Sequence, residues 1–288
     1  MKEVKEKVAF ITGGASGIGL GIAKVFVNAG IKVAIADLRQ DHLNDAVAYF
    51  TDNMQREEVH PIQLDVTDRD AMLKAADETE SLFGKVHILV NNAGVGVTGP
   101  ITKATYADWD FGLGVNLGGV VNVIQTFLPR ILAHGEGGHI VNTSSLSALV
   151  VMPAYMTIYV AAKAAVIALS EALSTELPGQ NIGVTVLCPG PVKSNIHELA
   201  QNRPERFRED SGFLEAEQQL GERQVSDMWM EPEEVGKMIL DAVLNNKLYV
   251  ITHGEWRSAA EARFEAMLTA MPKEVNPDLI ATLRPKEN

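Results

Sequence analysis

Tyr159 and Lys163 stand four positions apart in Tyr159-Val160-Ala161-Ala162-Lys163, inside a run of helix formers, so a phenol and an ammonium share one helical face. Tyrosine ordinarily ionises near pH 10 and is a poor acid or base at neutral pH until a cation stabilises its phenolate. Lys163 is placed to be that cation, and the pair then offers proton transfer at a hydroxyl or carbonyl oxygen. By itself the spacing describes equally well a buried tyrosine beside a surface lysine. Its meaning depends on what else converges there. Tyr155 competes for the role, but it stands eight positions before Lys163 and is read as packing near the substrate.

Residues able to complete such a site lie upstream. Asn142-Thr143-Ser144-Ser145-Leu146-Ser147 closes an apolar run and presents hydroxyls that can hydrogen-bond a developing alkoxide, Ser145 being the preferred one. Asn116 sits in Gly112-Leu113-Gly114-Val115-Asn116-Leu117-Gly118-Gly119, a cluster that weakens a helix by roughly 1 kcal/mol per glycine relative to alanine. That cost predicts a kink or a close backbone contact. A polar side chain there can hold a water against Lys163; plain helix packing would use the same glycines.

A second chemistry is written near the N-terminus. Thr12-Gly13-Gly14-Ala15-Ser16-Gly17-Ile18-Gly19 follows a β-branched run and precedes an amphipathic helix from about Leu20 to Asn28. Glycines let the backbone turn sharply and approach a pyrophosphate, whose charge meets the amides at the helix start. Gly13, Ser16, Gly17, Ile18 and Gly19 are the expected contacts, although the spacing G-x-x-x-G-x-G differs from the commoner G-x-G-x-x-G. Asp37 ends the next apolar run, 18 positions beyond Gly19, where a carboxylate accepts from ribose hydroxyls and repels a 2′-phosphate. A helix cap would use the same residue type. Arg39 can soften the preference, but no Lys or Arg occupies Ala15 or Ser16, so the expected cofactor is NAD and not NADP. Asp65-Val66 and Asn91-Asn92-Ala93-Gly94 end two further runs, with Asp65 expected near the adenine. Polar and small residues at successive strand ends describe one crevice.

These positions need strands that end together. KVAFIT, KVAIAD, HPIQLD, HILVNN, HIVNTS, IGVTVL and LYVIT alternate with helix-length segments. The pattern predicts an α/β fold: a doubly wound parallel sheet of seven strands covered on both faces, in a single domain spanning 1–288. No Pro/Gly/Ser linker, repeat or low-complexity tract divides it. Segment 195–230 is polar, carries Arg203, Arg206 and Arg208, and is expected to be a mobile helical lid. Residues 254–288 are expected to form a helical extension, with Trp256, Ala260, Phe264, Met267 and Leu268 at helical spacing before a tail containing Pro272, Pro277 and Pro285.

A chain of 288 residues, 46% hydrophobic, can bury a full core. Its 25 Lys and Arg against 37 Asp and Glu give −12 with no basic run, which argues against nucleic acid and anionic membranes as partners. Cys188 is the single cysteine, so there is no internal disulfide, as in a reducing compartment. MKEVKEK runs into an apolar stretch of only about six residues, too short for a signal or a span. A cytoplasmic location is expected. The seven His form no pair at ligand spacing, so no metal is expected.

Taken in order, Thr12-Gly13 to Gly19, Asn91-Asn92-Ala93-Gly94, Asn116, Ser145, Tyr159, Lys163 and Pro189-Gly190-Pro191-Val192 resemble the classical short-chain dehydrogenase/reductase family from about Lys7 to Thr252. The resemblance implies a Rossmann-like fold and a tetrad in which Tyr159 transfers the proton and Ser145 orients the carbonyl. Lys163 would also bind the nicotinamide ribose, and Asn116 would complete a water relay. It adds Pro189, Gly190, Val192 and Ser194 as cofactor residues, Ser194 standing where the family often has a threonine. Ser145 precedes Tyr159 by fourteen positions where the family usually shows thirteen, which leaves Ser144 and Ser147 open. Enoyl reduction needs a longer tyrosine-to-lysine interval, and the residue seven before Lys163 is Met156. Pro189 to Ile196, Leu248 to His253 and the extended tail are similar to bacterial dehydrogenases of lignin-type aryl-ether carbinols. A bulky or aromatic secondary alcohol or its ketone is therefore the expected substrate, met by Val95, Val97, Val150, Val151, Met152 and Met156. The family likeness further implies a homodimer or homotetramer built on the helices of Asn116 and Tyr159. An NADP-dependent carbonyl reductase and a catalytically silent nucleotide sensor are the alternative readings.

Overall fold

Side chains alternate across a strand, and in β1 (Val8–Thr12) both faces are buried: Ala9 and Ile11 meet one layer of helices, Val8 and Phe10 the other. A strand of this kind belongs at the centre of a sheet. The computed structural model describes residues 1–151, 155–197, 203–220, 226–276 and 279. After β1 come α1 (Gly17–Asn28), β2 (Lys32–Asp37), α2 (Gln40–Asp52), β3 (Val59–Gln63), α3 (Arg69–Phe83) and β4 (Ile88–Asn91). The second half holds α4 (Tyr106–Leu113), α5 (Gly119–His134), β5 (Gly138–Thr143), α6 (Thr157–Glu176), β6 (Ile182–Cys188), α7 (Leu214–Leu220), α8 (Pro232–Asn245), β7 (Tyr249–Ile251) and α9 (Arg257–Ala270).

The seven strands pair in the order β3-β2-β1-β4-β5-β6-β7, every pair parallel. The expected doubly wound sheet is present, and all seven anticipated runs are its strands. Connectivity reverses between β1 and β4, which opens a crevice outside their carboxyl ends. One core layer joins α1, α2 and α8 to the sheet through Ile22, Phe26, Phe50, Val235 and Ile239. The opposite layer joins α3, α5 and α6 through Met72, Ile124, Phe127, Val166 and Leu173. Phe10 and Phe127 meet there with ring centroids 4.5 Å apart.

Two expectations change in detail. The first helix starts at Gly17 and not Leu20, because Leu20 N already donates to Ser16 O at 3.1 Å. The glycine cluster around Asn116 becomes a π-helical turn, Gly114–Gly118, joining α4 to α5. A π turn widens the helix by one residue per turn and is common at functional sites.

The polar segment 195–230 is not uniformly loose where it is described. Arg203 is fully buried, its Nη1 lying 3.1 Å from Asp108 Oδ1 and its Nη2 2.6 Å from Glu217 Oε1. Asp108 also closes the capping box of α4 with Thr105 and accepts from Gly212 N at 3.0 Å. Phe213 joins Val97, Phe111 and Ile158 in a separate small cluster. So 203–220 is moored onto α4 and α6; a buried ion pair broken on one side leaves an uncompensated charge. Residues 198–202 and 221–225 of that segment lie outside the described residues. So do Met152, Pro277 and Pro285.

Candidate active site

The turn after β1 is shaped by backbone that side chains would obstruct. Gly13 and Gly17 adopt φ of +59° and +48°, the left-handed region. A Cβ on Gly19 would lie 2.0 Å from Gly13 O, so the turn folds directly onto the first turn of α1. Asn92 Nδ2 locks it, donating to Thr12 O at 3.3 Å and Gly13 O at 3.2 Å. No acidic side chain stands in the first turn of α1, and Ser16 makes no side-chain cap. That end of the helix suits an anion held by backbone amides.

Asp37 closes β2 beside this turn. Its Oδ2 accepts from Ala15 N at 3.3 Å and its Oδ1 from Arg39 N at 3.1 Å. Burial pushes its carboxyl above the usual range, against the pull of those two N–H donors. Arg39 reaches Asp41, with Nε 3.1 Å from Oδ1 and Nη2 2.5 Å from Oδ2. Asp65 takes Thr67 N and Thr67 Oγ1 on Oδ1 at 2.9 and 2.7 Å, and Arg206 Nη2 on Oδ2 at 2.7 Å. Burial would raise the Asp65 carboxyl, but the Thr67 hydrogen bonds and Arg206 hold it below its ordinary value.

At the other end of the crevice, α6 presents Tyr159 and Lys163, both buried. Lys163 Nζ donates to Thr143 O at 2.9 Å and lies 5.8 Å from the centroid of the Tyr159 ring. Burial lowers the ammonium to about 8; the adjacent Cys188 thiol, itself pushed up to about 12 by burial, brings no negative charge at neutral pH. The Tyr159 phenol is pushed above its ordinary value by burial and pulled back by its hydrogen bond with Ser145. Proximity to Lys163 therefore does not bring the phenol down in this geometry, because desolvation outweighs a cation that points to a carbonyl.

The three candidate serines separate cleanly. Ser144 Oγ is spent on Lys163 O at 2.6 Å, and Ser147 Oγ donates to Ser145 Oγ at 2.9 Å. Ser145 is the one whose hydroxyl draws the Tyr159 phenol down. Asn116 is fully buried in the π turn, its Oδ1 accepting from Val95 N at 3.2 Å and its Nδ2 donating to Val95 O and Gly112 O, each at 3.0 Å. A Cβ on Gly94 would stand 3.0 Å from Asn116 Oδ1 and 3.2 Å from Lys163 Nζ. Glycine there keeps open the space between the two.

One crevice is lined by Gly13, Ser16, Gly17, Ile18, Asp37, Asp65, Val66, Asn92, Ala93, Gly94, Tyr159, Lys163, Pro189 and Ser194. Gly19, Gly190 and Val192 stand behind it: Gly19 under Gly13, Gly190 against the His253 ring, and Val192 in a bridge with Met230. Ser145 and Asn116 act on the lining residues from a layer behind. Of the expected substrate-side residues, Val95 lines the crevice, Val97 and Val150 are core, and Val151 is 83% exposed. Tyr155 is half exposed at φ +81°, its carbonyl accepting from Gly99 N at 2.9 Å. Sequence reasoning missed Phe111, Val115, Arg206 and Phe207 in the lining. Only the Thr105-x-x-Asp108 capping pattern hinted at how their elements are tied together.

The Gly-rich turn, the Asp37 carboxylate and the open helix end fit a dinucleotide laid across the switch between β1 and β4. Residues 7–204 match the family model for short chain dehydrogenase. A C alpha-dehydrogenase of Sphingobium sp. (strain NBRC 103272 / SYK-6) is 42% identical over 96% of this chain and 91% of its own length. The crystal structure of the LigO apo form from Sphingobium sp. strain SYK-6 superposes with a TM-score of 0.78 at 40% identity, covering 98% of this chain and 96% of that one. A short chain dehydrogenase/reductase from Burkholderia phymatum, solved in complex with NAD, gives a TM-score of 0.86 at 32% identity over 96% and 99% of the two chains.

The buried Lys163 generates a stability prediction. Its folded pKa of about 8 lies below the ordinary 10.5, so the unfolded chain binds more protons between those values and stability rises with pH across that window. Below pH 8 the group costs the fold on the order of 3 kcal/mol. Lys163→Met should raise the urea midpoint at pH 7, and the gain should fade as pH approaches 10.5. A midpoint difference that is constant across pH 7 to 10.5 would contradict it.

Proposed function

The chain belongs to the short-chain dehydrogenase family, and from that premise we propose how its residues divide the work and which nicotinamide cofactor and alcohol they take. It is an oxidoreductase, an alcohol-acting dehydrogenase using a nicotinamide cofactor. The observation that carries the finer reading is that Tyr159 and Lys163 line the same crevice as Asp37, with the Ser145 hydroxyl beside the phenol.

When bound, the cofactor supplies the hydride acceptor or donor. Tyr159 takes the hydroxyl proton of the alcohol, and Ser145 hydrogen-bonds the same oxygen as it becomes a carbonyl. Lys163 would hold the nicotinamide ribose from within α6, its ammonium fixed by the Thr143 carbonyl. The space that Gly94 leaves between Asn116 and Lys163 suits a relay water. Gly13, Ser16, Gly17 and Ile18 hold the pyrophosphate, with Gly19 making the tight turn possible. Asn92, Ala93, Gly94, Pro189 and Ser194 line the way to the nicotinamide, with Gly190 and Val192 supporting that loop. Asp65 and Val66 take the adenine end.

NAD is the cofactor on this reading, because Asp37 sits where a 2′-phosphate would come and Arg39 is engaged by Asp41. The substrate is a bulky or aromatic secondary alcohol, supported by similarity to a C alpha-dehydrogenase and by the apolar wall of Val95, Phe111, Val115 and Phe207. The described part of the 195–230 segment supplies Pro204, Arg206 and Phe207 to that crevice, and oxidation is the physiological direction because cells hold NAD mostly oxidised. Helix α9 of the C-terminal extension reaches the turn after β5 through Arg263, which donates to Ala148 O.

Two helical stretches, Tyr106–His134 and Thr157–Glu176, have the length and apolar composition of a membrane span. Both are pinned to the sheet by the faces that carry Asn116, Tyr159 and Lys163. The outward stripe of α5, with Val121 38% and Leu132 41% exposed, is read as an interface between copies in a homodimer or homotetramer. An acidic chain without a disulfide is read as cytoplasmic; its recovery in a membrane or periplasmic fraction would overturn that.

Purified protein given NAD and a panel of aryl secondary alcohols should produce NADH absorbance. Tyr159→Phe should lower the rate by about 10²–10⁴-fold while leaving NADH binding intact; NADH binding with activity at background in parent and variant alike would instead support a silent nucleotide sensor. Asp37→Ser should move the kcat/KM preference toward NADP, and a parent enzyme that already prefers NADP would support the reductase reading. Val121→Glu should shift the mass measured by light scattering toward monomer if α5 is the interface; an unaltered oligomer excludes that face.

A further inference from the structure

Arg206 is the point where the segment over the substrate reaches the opposite, adenine end of the crevice. Its Nη2 donates to Asp65 Oδ2 at 2.7 Å and to Thr67 Oγ1 at 2.8 Å, and its guanidinium carbon lies 4.8 Å from the centre of the Phe207 ring. Pro204, Arg206 and Phe207 line the same crevice wall as Leu38, Asp65 and Val66.

The Asp65 carboxylate still has room for a ligand. A carboxylate offers about four acceptor sites. Thr67 N and Thr67 Oγ1 take two on Oδ1, and Arg206 takes one on Oδ2. The remaining site on Oδ2 suits the exocyclic amino group of a purine. A base bonded there would lie beside the guanidinium plane, which stacks well on aromatic faces. As it stands the Arg206 side chain is 54% exposed, so its ion pair with Asp65 contributes little by itself. Covering by a base is what would make it count.

Resting on the reading of this crevice as an NAD site, we propose that Arg206 is an adenine clamp supplied by the substrate lid. Arg203, three residues earlier and fully buried between Asp108 and Glu217, holds the chain that carries the clamp on α4. Cofactor release then requires the Arg206 side chain to come off the base.

The test is the release rate of NADH, followed by stopped-flow fluorescence for the parent, Arg206→Met and Arg206→Lys. Arg206→Met should release NADH on the order of tenfold faster and weaken ADP-ribose binding by a similar factor. Arg206→Lys, which keeps the charge but loses the plane, should fall between. Affinity for reduced nicotinamide mononucleotide, which is anionic but lacks the adenine, should stay unchanged in all three. Equal release rates overturn the proposal. So does slower release from Arg206→Met, which would make Arg206 a competitor of the base for Asp65. An equal loss for the mononucleotide would assign the effect to general lid disruption and also overturn it. Failure of the parent to bind NADH would instead remove the NAD-site reading itself.

Discussion

An ammonium taken out of water must be given an acceptor, and Lys163, buried in α6, has the carbonyl of Thr143 at 2.9 Å. That one bond ties the middle of α6 to the end of β5. Ser144 reinforces it from the other side by donating to the Lys163 carbonyl. With the helix so fixed, the next residue of the strand end, Ser145, meets Tyr159, and the ammonium faces the gap left by Gly94. Burial lowers the lysine to about 8, a cost to the fold that a site for chemistry can carry. The dinucleotide end obeys the same sheet: the carboxyl ends of β1, β2 and β4 bring the glycine turn, Asp37 and Asn92 to one crevice because every strand runs the same way.

Irregular backbone gathers around that anchor. The π turn at Gly114–Gly118 lets Asn116 satisfy the backbone of Val95 on the β4–α4 connection, so the helix defect is what holds the loop after Gly94 in place. Above it, the buried Arg203 with Asp108 and Glu217 ties the 203–220 segment to α4. Its removal would strand two carboxylates in a dry place, so this segment is part of the packed fold. Phe207 then brings apolar surface to the crevice side, where Phe111 and Val115 already stand, with Phe213 in the core cluster behind.

Much of this was legible beforehand because it depends on period and local chemistry. Alternating apolar runs marked all seven strands, and glycines with a following helix marked the pyrophosphate turn. Asp37, Asn92 and Gly94 were legible from their places at strand ends. The glycine-rich stretch around Asn116 announced a defect, though not that it would be a π turn. Other features were not legible because they join residues far apart in the chain. Nothing in the segment around Arg206 points to Asp65, 141 positions away, and nothing near Arg203 names Asp108 as its partner. Ser145 was the preferred serine with Ser144 and Ser147 left open, but what each hydroxyl bonds was hidden: three neighbouring hydroxyls differ only in which way the chain turns after β5.

What the sequence determined by itself was the architecture and which residues are candidates for the chemistry, since parallel-strand patterning, turn glycines and a four-residue helical spacing act over short distances. The tertiary structure decided what those groups experience. Whether the phenol of Tyr159 is raised or lowered depends on the balance between burial and a cation's position, and that balance is set by where α6 docks on β5. Which serine is used, which glycines only pack, and whether the lid floats or is moored follow from the same cause: desolvation and hydrogen-bond partnership are properties of neighbours in space, and neighbours are assigned only when the sheet and its helices close together.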